Sequence, residues 1–376
     1  LRPRTRSVLQ SPARTGSTAL VQAQEIVRAH RNSTQEAVFE WLGVTVFPPG
    51  PTKEKQHMRN RFTTSLLALV AIMSLTAAVA MAATITGDDN PNVLIGTPQA
   101  DTINALGGRD LVRARAGDDT VDAGAGPDRV FAAEGNDGVK GGDGADFLRG
   151  GLGDDTVDGE GGPDRIWGDG GNDTIRGLAG NDRIHGGSGD DVLVGDTPGV
   201  GDLFSNDRIY GGLGNDRITG GDARDRLAGG DGNDTSDGND GNDQMSGGSG
   251  DDVQRGGMGN DRIYANVGVD ESFGDEGNDD LWALALADVT PGPNGEVDQV
   301  GDTLHGGIGN DRFHTRDGEV DRIDCGEGTD IAILDTADVI VDATPTNANG
   351  SCERVQRRDV GRKHNGRKYK QNAVDK

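Results

Sequence analysis

Aspartates that recur at a fixed spacing are the residues of this chain best suited to chemistry. Between Gly141 and Val194 one follows every ninth residue, at Asp146, Asp155, Asp164, Asp173, Asp182 and Asp191. Each ends a glycine-rich turn, and an aliphatic residue stands two places after it. Carboxylate and carbonyl oxygens are the ligands that calcium and other hard cations prefer. The repeat therefore offers oxygen ligands at regular intervals along the chain.

Short strands must position these aspartates. Glycines at the first, second and fourth places of each turn allow positive φ and a close approach of the backbone. The three-residue strand that follows has a single inward residue, such as Val157. Two nine-residue units make one coil, so turns 18 residues apart stack on the same edge. We therefore expect Asp146 to lie beside Asp164, and Asp155 beside Asp173.

The repeating unit, written GGxGxDxUx with an aliphatic residue at U, resembles the hemolysin-type, RTX-like nonapeptide repeat. The resemblance covers residues 92–330. It implies an all-β fold, namely a right-handed parallel β-roll (a calcium-bound nonapeptide-repeat solenoid) with a small C-terminal cap. It also implies multiple calcium ions as cofactors, each held between stacked turns by carboxylates of both turns and by turn carbonyls. The expected metal ligands are Asp110, Asp119, Asp128, Asp137, Asp146, Asp155, Asp164, Asp173, Asp182, Asp191, Asp216, Asp234, Asp243, Asp252, Asp261, Asp279, Asp302 and Asp311.

Two aspartates depart most from this pattern and are not among the expected ligands. Leu203-Phe-Ser stands before Asp207, and Ala223-Arg stands before Asp225, where the motif has glycine-rich turns. The opening turn is also degenerate, because Thr97-Pro-Gln-Ala precedes Asp101 without a turn glycine.

The composition limits both the fold and its partners. The formal net charge of −26 argues against nucleic acid as a partner. With 63 glycines and 4% aromatic residues, the chain cannot supply large cores, and chains of this kind are usually disordered. The nine-residue period favours order, but stacked carboxylates repel one another. We therefore expect folding to depend on calcium, and the apo chain to be largely unfolded.

The remaining segments show a mixed organisation. A basic stretch from Met58, an apolar run from Leu66 to Ala80 and A-x-A sites ending at Ala82 are typical of a signal peptide. The alternative is a membrane anchor, but the run is short for a span of about 20 residues. We expect a secreted protein with no stable membrane span after cleavage.

The predicted segments are a non-native or disordered extension (1–57), the signal peptide (58–82), the β-roll (83–280), an insertion (281–301), final repeats (302–330), a disulfide-linked cap (331–355) and a basic disordered tail (356–376).

The two cysteines of the chain, Cys325 and Cys352, are predicted to form one disulfide that staples the cap, since the protein is expected to be exported. The alternatives are two free thiols or half of a metal site, although no Cys/His cluster lies nearby in the sequence. The basic tail is interpreted as a solvated end. The alternative for the tail is contact with an anionic cell-wall polymer or with the acidic roll.

The sequence contains no H-E-x-x-H zinc motif, nucleophile elbow or P-loop, so we do not expect an enzyme. The predicted function is extracellular calcium binding, with cell-surface or matrix polymers as partners in adhesion or matrix structure. The alternative is a polysaccharide lyase or epimerase on a β-solenoid, against which stand the short repeat and the lack of an aromatic platform for sugars. Outward arginines that follow the aspartates are expected to offset acidity: Arg129, Arg165, Arg183, Arg208, Arg217, Arg262 and Arg312.

One stretch of the predicted roll has polar residues at its inward positions. Ser236, Gln254 and Ser272 are 18 residues apart and should stack on one sheet. Aliphatic residues on the other sheet should face them: Met245, Ile263 and Leu281. Either the strands shift register here, turning Val253 inward, or this stretch opens first as calcium falls.

Overall fold

The computed structural model describes residues 81–197, 205–283, 301–344 and 347–358. All regular structure in these ranges is β-strand, and the strands form two parallel sheets. The first sheet contains β1 (Thr84–Asp88), β3 (Thr102–Leu106), β5 (Thr120–Asp122), β7 (Gly138–Asp143), β9 (Thr156–Gly161), β11 (Thr174–Ala179), β13 (Val192–Val194), β15 (Arg217–Asp222), β17 (Thr235–Asp240), β19 (Val253–Met258), β21 (Glu271–Gly277), β23 (Thr303–Gly309), β25 (Arg322–Asp324), β26 (Glu327–Gly328) and β28 (Val339–Ile340). The second contains β2 (Val93–Ile95), β4 (Leu111–Ala116), β6 (Arg129–Glu134), β8 (Phe147–Leu152), β10 (Arg165–Gly170), β12 (Arg183–Ser188), β14 (Arg208–Leu213), β16 (Arg226–Asp231), β18 (Gln244–Ser249), β20 (Arg262–Val267), β22 (Asp280–Trp282), β24 (Arg312–Thr315), β27 (Ile331–Leu334) and β29 (Arg354–Arg357).

Successive strands alternate between the sheets for most of the chain, so each coil contributes one strand to each sheet. Strands of adjacent coils pair in parallel. In the second sheet, for example, Leu148 of β8 stands opposite Ile166 of β10, which stands opposite Ile184 of β12. The predicted all-β parallel β-roll is confirmed.

Most strands are longer than the three residues predicted, although β5 and β13 have three. β10 runs for six residues, from Arg165 to Gly170, and its Asp169 pairs with Gly187 of the next coil. The difference arises because the first glycines of each motif continue the strand and pair with the neighbouring coil. Each long strand therefore has two inward positions, an aliphatic residue such as Ile166 and a glycine such as Gly168.

Each sheet contributes one row of aliphatic side chains to the core. Those from Leu148 to Leu193 are fully buried, as are their counterparts on either side. In the two coils before residue 133 the second inward position is alanine rather than glycine, at Ala105, Ala114, Ala123 and Ala132. The core is therefore only one or two side chains deep.

Two interruptions of the repeat leave the pairing of the sheets intact. Across the first, Ile184 still pairs with Ile209 although 25 residues separate them. The predicted start of the second insertion, at residue 281, is wrong. Leu281 is buried in β22 and stands between Ile263 and Phe313 of the neighbouring strands. The roll continues to Ala283, and residues 284–300 lie outside the described part of the chain.

The C-terminal segment extends both sheets. β28 adds to the first sheet beside β25, and β29 adds to the second beside β27. Cys325 and Cys352 are joined in a disulfide, with their Cα atoms 5.3 Å apart, and both are buried. The segment predicted as a cap is thus built as further coils of the roll, and strand β29 extends to Arg357.

The predicted extension at 1–57 and nearly all of the predicted signal peptide lie outside the described residues, as does the tail beyond residue 358. Within the described ranges no helix is long and apolar enough to cross a membrane.

Candidate metal centre

The repeated aspartates form two ladders, one along each edge of the roll. The first ladder precedes the strands of the first sheet, and the second ladder precedes those of the second sheet. The first ladder consists of Asp101, Asp119, Asp137, Asp155, Asp173, Asp191, Asp216, Asp234, Asp252, Asp270, Asp302, Asp321 and Asp338. The second consists of Asp110, Asp128, Asp146, Asp164, Asp182, Asp207, Asp225, Asp243, Asp261, Asp279, Asp311, Asp330 and Glu353.

Hydrogen bonds between neighbouring coils hold each ladder together. The backbone N–H of Asp146 donates to Oδ1 of Asp164 at 2.8 Å, and that of Asp155 donates to Oδ1 of Asp173 at 2.8 Å. These are the two pairs expected from the 18-residue coil, and both are confirmed. One oxygen of each carboxylate is therefore used to fix the stacking of the turns.

The other oxygen, Oδ2, has no hydrogen-bond partner. This holds for every ladder aspartate from Asp110 to Asp330, and each of these side chains is at most 2% exposed. The described ladder aspartates also form no ion pair with a lysine, arginine or histidine. A buried carboxylate oxygen without a partner is costly, so a bound cation would stabilise both ladders, and the described side chains do not supply one.

The first glycine of each motif leaves room beside this oxygen. A Cβ added at Gly159 would lie 2.6 Å from Oδ2 of Asp164 and 2.7 Å from the carbonyl oxygen of Gly177. A Cβ added at Gly220 would likewise lie 2.6 Å from Oδ2 of Asp225. Glycine thus keeps a space lined by carboxylate and carbonyl oxygens, a donor set that suits calcium.

Side chains alone do not complete such a site. Across the described ranges, no group of three or more His, Cys, Asp or Glu side chains is arranged to hold a metal ion. Calcium takes six to eight oxygen ligands, so backbone oxygens of the glycine turns would have to supply the rest.

Burial makes the ladder carboxylates hard to ionise in the absence of a cation. Desolvation and the neighbouring Asp182 and Asp146 raise the pKa of Asp164 to about 8. Desolvation, together with neighbouring carboxylates, raises the pKa of Asp207 to about 9 and that of Asp270 to about 8. A bound cation would favour the ionised forms.

Asp207 and Asp225, which were not among the ligands expected from the sequence, occupy ordinary ladder positions. The N–H of Asp182 donates to Oδ1 of Asp207, whose own N–H donates to Oδ1 of Asp225, both at 2.8 Å. Ala223 takes the place of the fourth glycine with a φ of 80°, a left-handed conformation that alanine rarely adopts. The register of the repeat therefore matters more than the identity of the turn residues.

The second ladder and the first both continue past the expected ligands. The N–H of Asp302 donates to Oδ1 of Asp321, and that of Asp311 to Oδ1 of Asp330, both at 2.9 Å. A step of 19 residues instead of 18 hid these two positions. Glu353 ends the second ladder by accepting from the N–H of Asp330 at 2.7 Å, and nothing in the sequence pattern marks it.

Comparison with known families agrees with this geometry. A family model for the RTX calcium-binding nonapeptide repeat matches ten overlapping segments of the chain, which together cover residues 86–197, 204–281 and 301–332. These ranges make up more than half of the 376 residues. The chain belongs to the RTX calcium-binding nonapeptide-repeat family. No curated protein matches the chain. Membership of the RTX family and the unpaired Oδ2 atoms together support calcium binding by the repeats.

Proposed function

We propose that this RTX-repeat protein binds several calcium ions along its two ladders and that this binding drives folding of the roll. The observation that carries the proposal is the unbroken row of buried, unpaired Oδ2 atoms from Asp110 to Asp330. The ligands expected from the sequence, from Asp110 to Asp311, would hold the ions together with carbonyls of the glycine turns. Asp207 and Asp225 belong in the same set by their place in the second ladder.

Folding without cations would bury many like charges on each edge. Each ladder carboxylate stacks on another one coil away, as Asp164 does on Asp146 and Asp182. Calcium, when bound, supplies positive charge to both carboxylates of a stacked pair. The residues of the chain supply the register, through the Oδ1 hydrogen bonds, and exclude water from the carboxylates.

Circular dichroism tests this proposal. Purified protein should change from a coil spectrum to a β spectrum as calcium is added, and revert when a chelator is added in excess. Magnesium, which requires stricter octahedral geometry, is the matched control and should be less effective. A β spectrum of unchanged intensity in chelator would refute calcium-driven folding.

We further propose that the protein acts outside the cell, where it binds surface or matrix polymers. The signal-peptide pattern from Met58 to Ala82 and the Cys325–Cys352 disulfide support export, because disulfides persist in oxidising compartments. Mass spectrometry of the culture medium should find a product that begins near Ala83. Peptides from residues 1–57 in the exported protein would contradict cleavage at this site.

A further inference from the structure

A groove of about 690 Å³ runs along the edge of the second sheet, beside the second ladder. Its rim carries arginines from four strands of the second sheet, β6, β10, β12 and β14. These residues are Arg129, Arg165, Arg183 and Arg208, and Phe147 of β8 stands in the same file between the first two. We call this feature the arginine groove.

Part of the groove lies where an outer row of side chains is interrupted on this edge. Along the first edge, the residue before each ladder aspartate is mostly Asp or Asn, and these side chains bond between coils. The N–H of Asn136, for example, donates to Oδ1 of Asp118 at 3.0 Å. Three of the equivalent positions in the arginine groove are Pro127, Ala145 and Pro163, which cannot form such a row, whereas Asn181 and Asn206 at its other end do bond between coils.

The four groove arginines have no acidic partner among the described residues. By contrast, Arg149, two residues further along β8 than Phe147, forms an ion pair with Asp169. The groove arginines also differ from Arg262 of the same row, which forms an ion pair with Asp280. Arg165, Arg183 and Arg208 stand on adjacent strands, about 4.8 Å apart, and Phe147 separates them from Arg129. The guanidinium group binds carboxylates in a bidentate fashion.

An aromatic row flanks the groove on the outer face of the second sheet. It consists of Phe131, Phe147, Trp167, His185 and Tyr210, with successive ring centroids 4.7–5.6 Å apart. Trp167, His185 and Tyr210 stack nearly parallel, at 3° and 9°. Because the stacked rings come from adjacent strands, their faces are covered by one another, and Phe147 is the member of the row that lines the groove.

This arrangement discriminates between two classes of anionic polymer. Single-stranded nucleic acid is held by bases that stack on open aromatic faces, and the faces of this row are largely covered. A chain of sugar acids needs only positively charged partners for its carboxylates at regular intervals and an apolar surface for its C–H groups.

We propose that the arginine groove binds a linear acidic polysaccharide, with guanidinium groups of successive coils paired to carboxylates along the polymer. The inference rests on the proposed function, because the file of arginines is assembled only in the calcium-folded roll. It assigns a substrate class to the predicted role in adhesion or matrix structure. A polymer fits better than a small anion because the positive groups repeat over several coils.

Binding should be measured by titration calorimetry in calcium, with hyaluronate and oligogalacturonate as probes. Dextran serves as the neutral polysaccharide, and oligo-dT and polyglutamate serve as other polyanions. The groove variant is Arg165→Ala/Arg183→Ala/Arg208→Ala. The matched control is Arg226→Ala/Arg262→Ala/Arg312→Ala, which removes three arginines from the same file outside the groove.

The groove variant should bind an acidic polysaccharide at least about tenfold more weakly, and the control should change by less than about threefold. Added salt should weaken wild-type binding. The proposal is overturned if folded protein binds neither acidic probe, if both variants lose affinity equally, or if oligo-dT or polyglutamate binds more tightly. Circular dichroism of the same samples separates the two proposals, because calcium-driven folding with no polysaccharide binding rejects the groove alone.

Discussion

The roll contains two stretches that share the same ladders but differ in their cores. In the aliphatic stretch, residues 146–194, the inward position two after each aspartate is Leu, Val or Ile. In the polar stretch, residues 234–279, the first sheet instead presents Ser236, Gln254 and Ser272, all buried. The hydrophobic core divides here, since one cluster ends at Ile263 and the next begins at Leu281. The ladders therefore set the backbone, and the core side chains adapt to it.

The polar stretch keeps the register of the roll. Ser236 stands opposite Gln254, and Gln254 opposite Ser272, as predicted. The alternative, a shift that would turn Val253 inward, is wrong, because Val253 remains on the outer face beside buried Gln254. The hydrogen-bonded ladders on both edges fix the register, and a one-residue slip would break them.

Gln254 explains how a polar residue is tolerated in so thin a core. With its amide oriented to satisfy its neighbours, it accepts from the N–H of Gly247 at 2.8 Å and donates to the carbonyl of Tyr264 at 3.1 Å. Both partners belong to the second sheet. The side chain thus links the two sheets across the core, which a shorter polar residue could not do.

Calcium limitation should separate the two stretches most clearly. The polar stretch buries less apolar surface per coil, so its folded state depends more on the ions. Hydrogen exchange followed during a calcium titration should show amides from Thr235 to Phe273 losing protection before those from Asp146 to Val194. Equal protection of both stretches at limiting calcium would mean that the polar core carries no penalty.

Acid should act on both stretches alike when calcium is absent. The pKa is raised to about 8 for Asp164 and to about 7 for Asp252, mainly by desolvation, from an unfolded value near 4. Protonation therefore favours the folded apo chain, and this contribution is full below about pH 4 and is lost as the pH rises through 7–8. In chelator, the β signal should increase from pH 8 to pH 5. A β signal that stays flat or falls on acidification would exclude desolvated carboxylates as the barrier to apo folding.

Truncation of a core residue should cost most in the aliphatic stretch. Ile175→Ala should lower the free energy of unfolding by about 2–5 kcal/mol at saturating calcium, because Ile175 is fully buried between coils. Its control, Ser272→Ala on the same sheet, should cost less than about 1 kcal/mol, since Ser272 makes a single hydrogen bond at 3.3 Å. Urea titration of both variants measures the difference, and similar losses would show that the two cores contribute equally.

Removal of the sheet-linking amide should have an intermediate, local effect. Gln254→Ala leaves the N–H of Gly247 and the carbonyl of Tyr264 without their partner, at a cost of about 1–3 kcal/mol. Gln254→Met, of similar length but without hydrogen bonds, is the matched control for volume. Exchange protection near Gly247 should fall in both variants. If Gln254→Met is as stable as wild type, the link between the sheets is dispensable.

The nine-residue period was sufficient to predict the parallel roll, the stacking of Asp146 on Asp164 and the inward file of the polar stretch. These succeed because a strict period fixes which residues share an edge or a face. The period did not reveal Asp321 and Asp330, because the spacing changes to 19 residues there. Asp225 was left out of the expected ligands because of its unusual turn residues, although its position in the period was correct. The hydrogen-bond partners of Gln254 depend on the distance across the core, and the arginine groove depends on which side chains several successive coils place side by side. Neither feature can be predicted from the sequence of a single repeat.

The hydrogen bonds of the ladders also determine how far a disturbance can travel. From Asp110 to Asp330, the ladder hydrogen bonds of each aspartate join it only to its neighbours one coil before and one coil after, as Asp173 is joined to Asp155 and Asp191. Cooperativity in such an array is one-dimensional and decays with the number of coils. The disulfide from Cys325 to Cys352 lies at one end of this array, where it holds together the last coils even when distant ones have opened. Because this coupling is local, the polar stretch can open while the coils on either side of it stay folded, so we expect the length of folded roll to fall in steps as calcium is withdrawn.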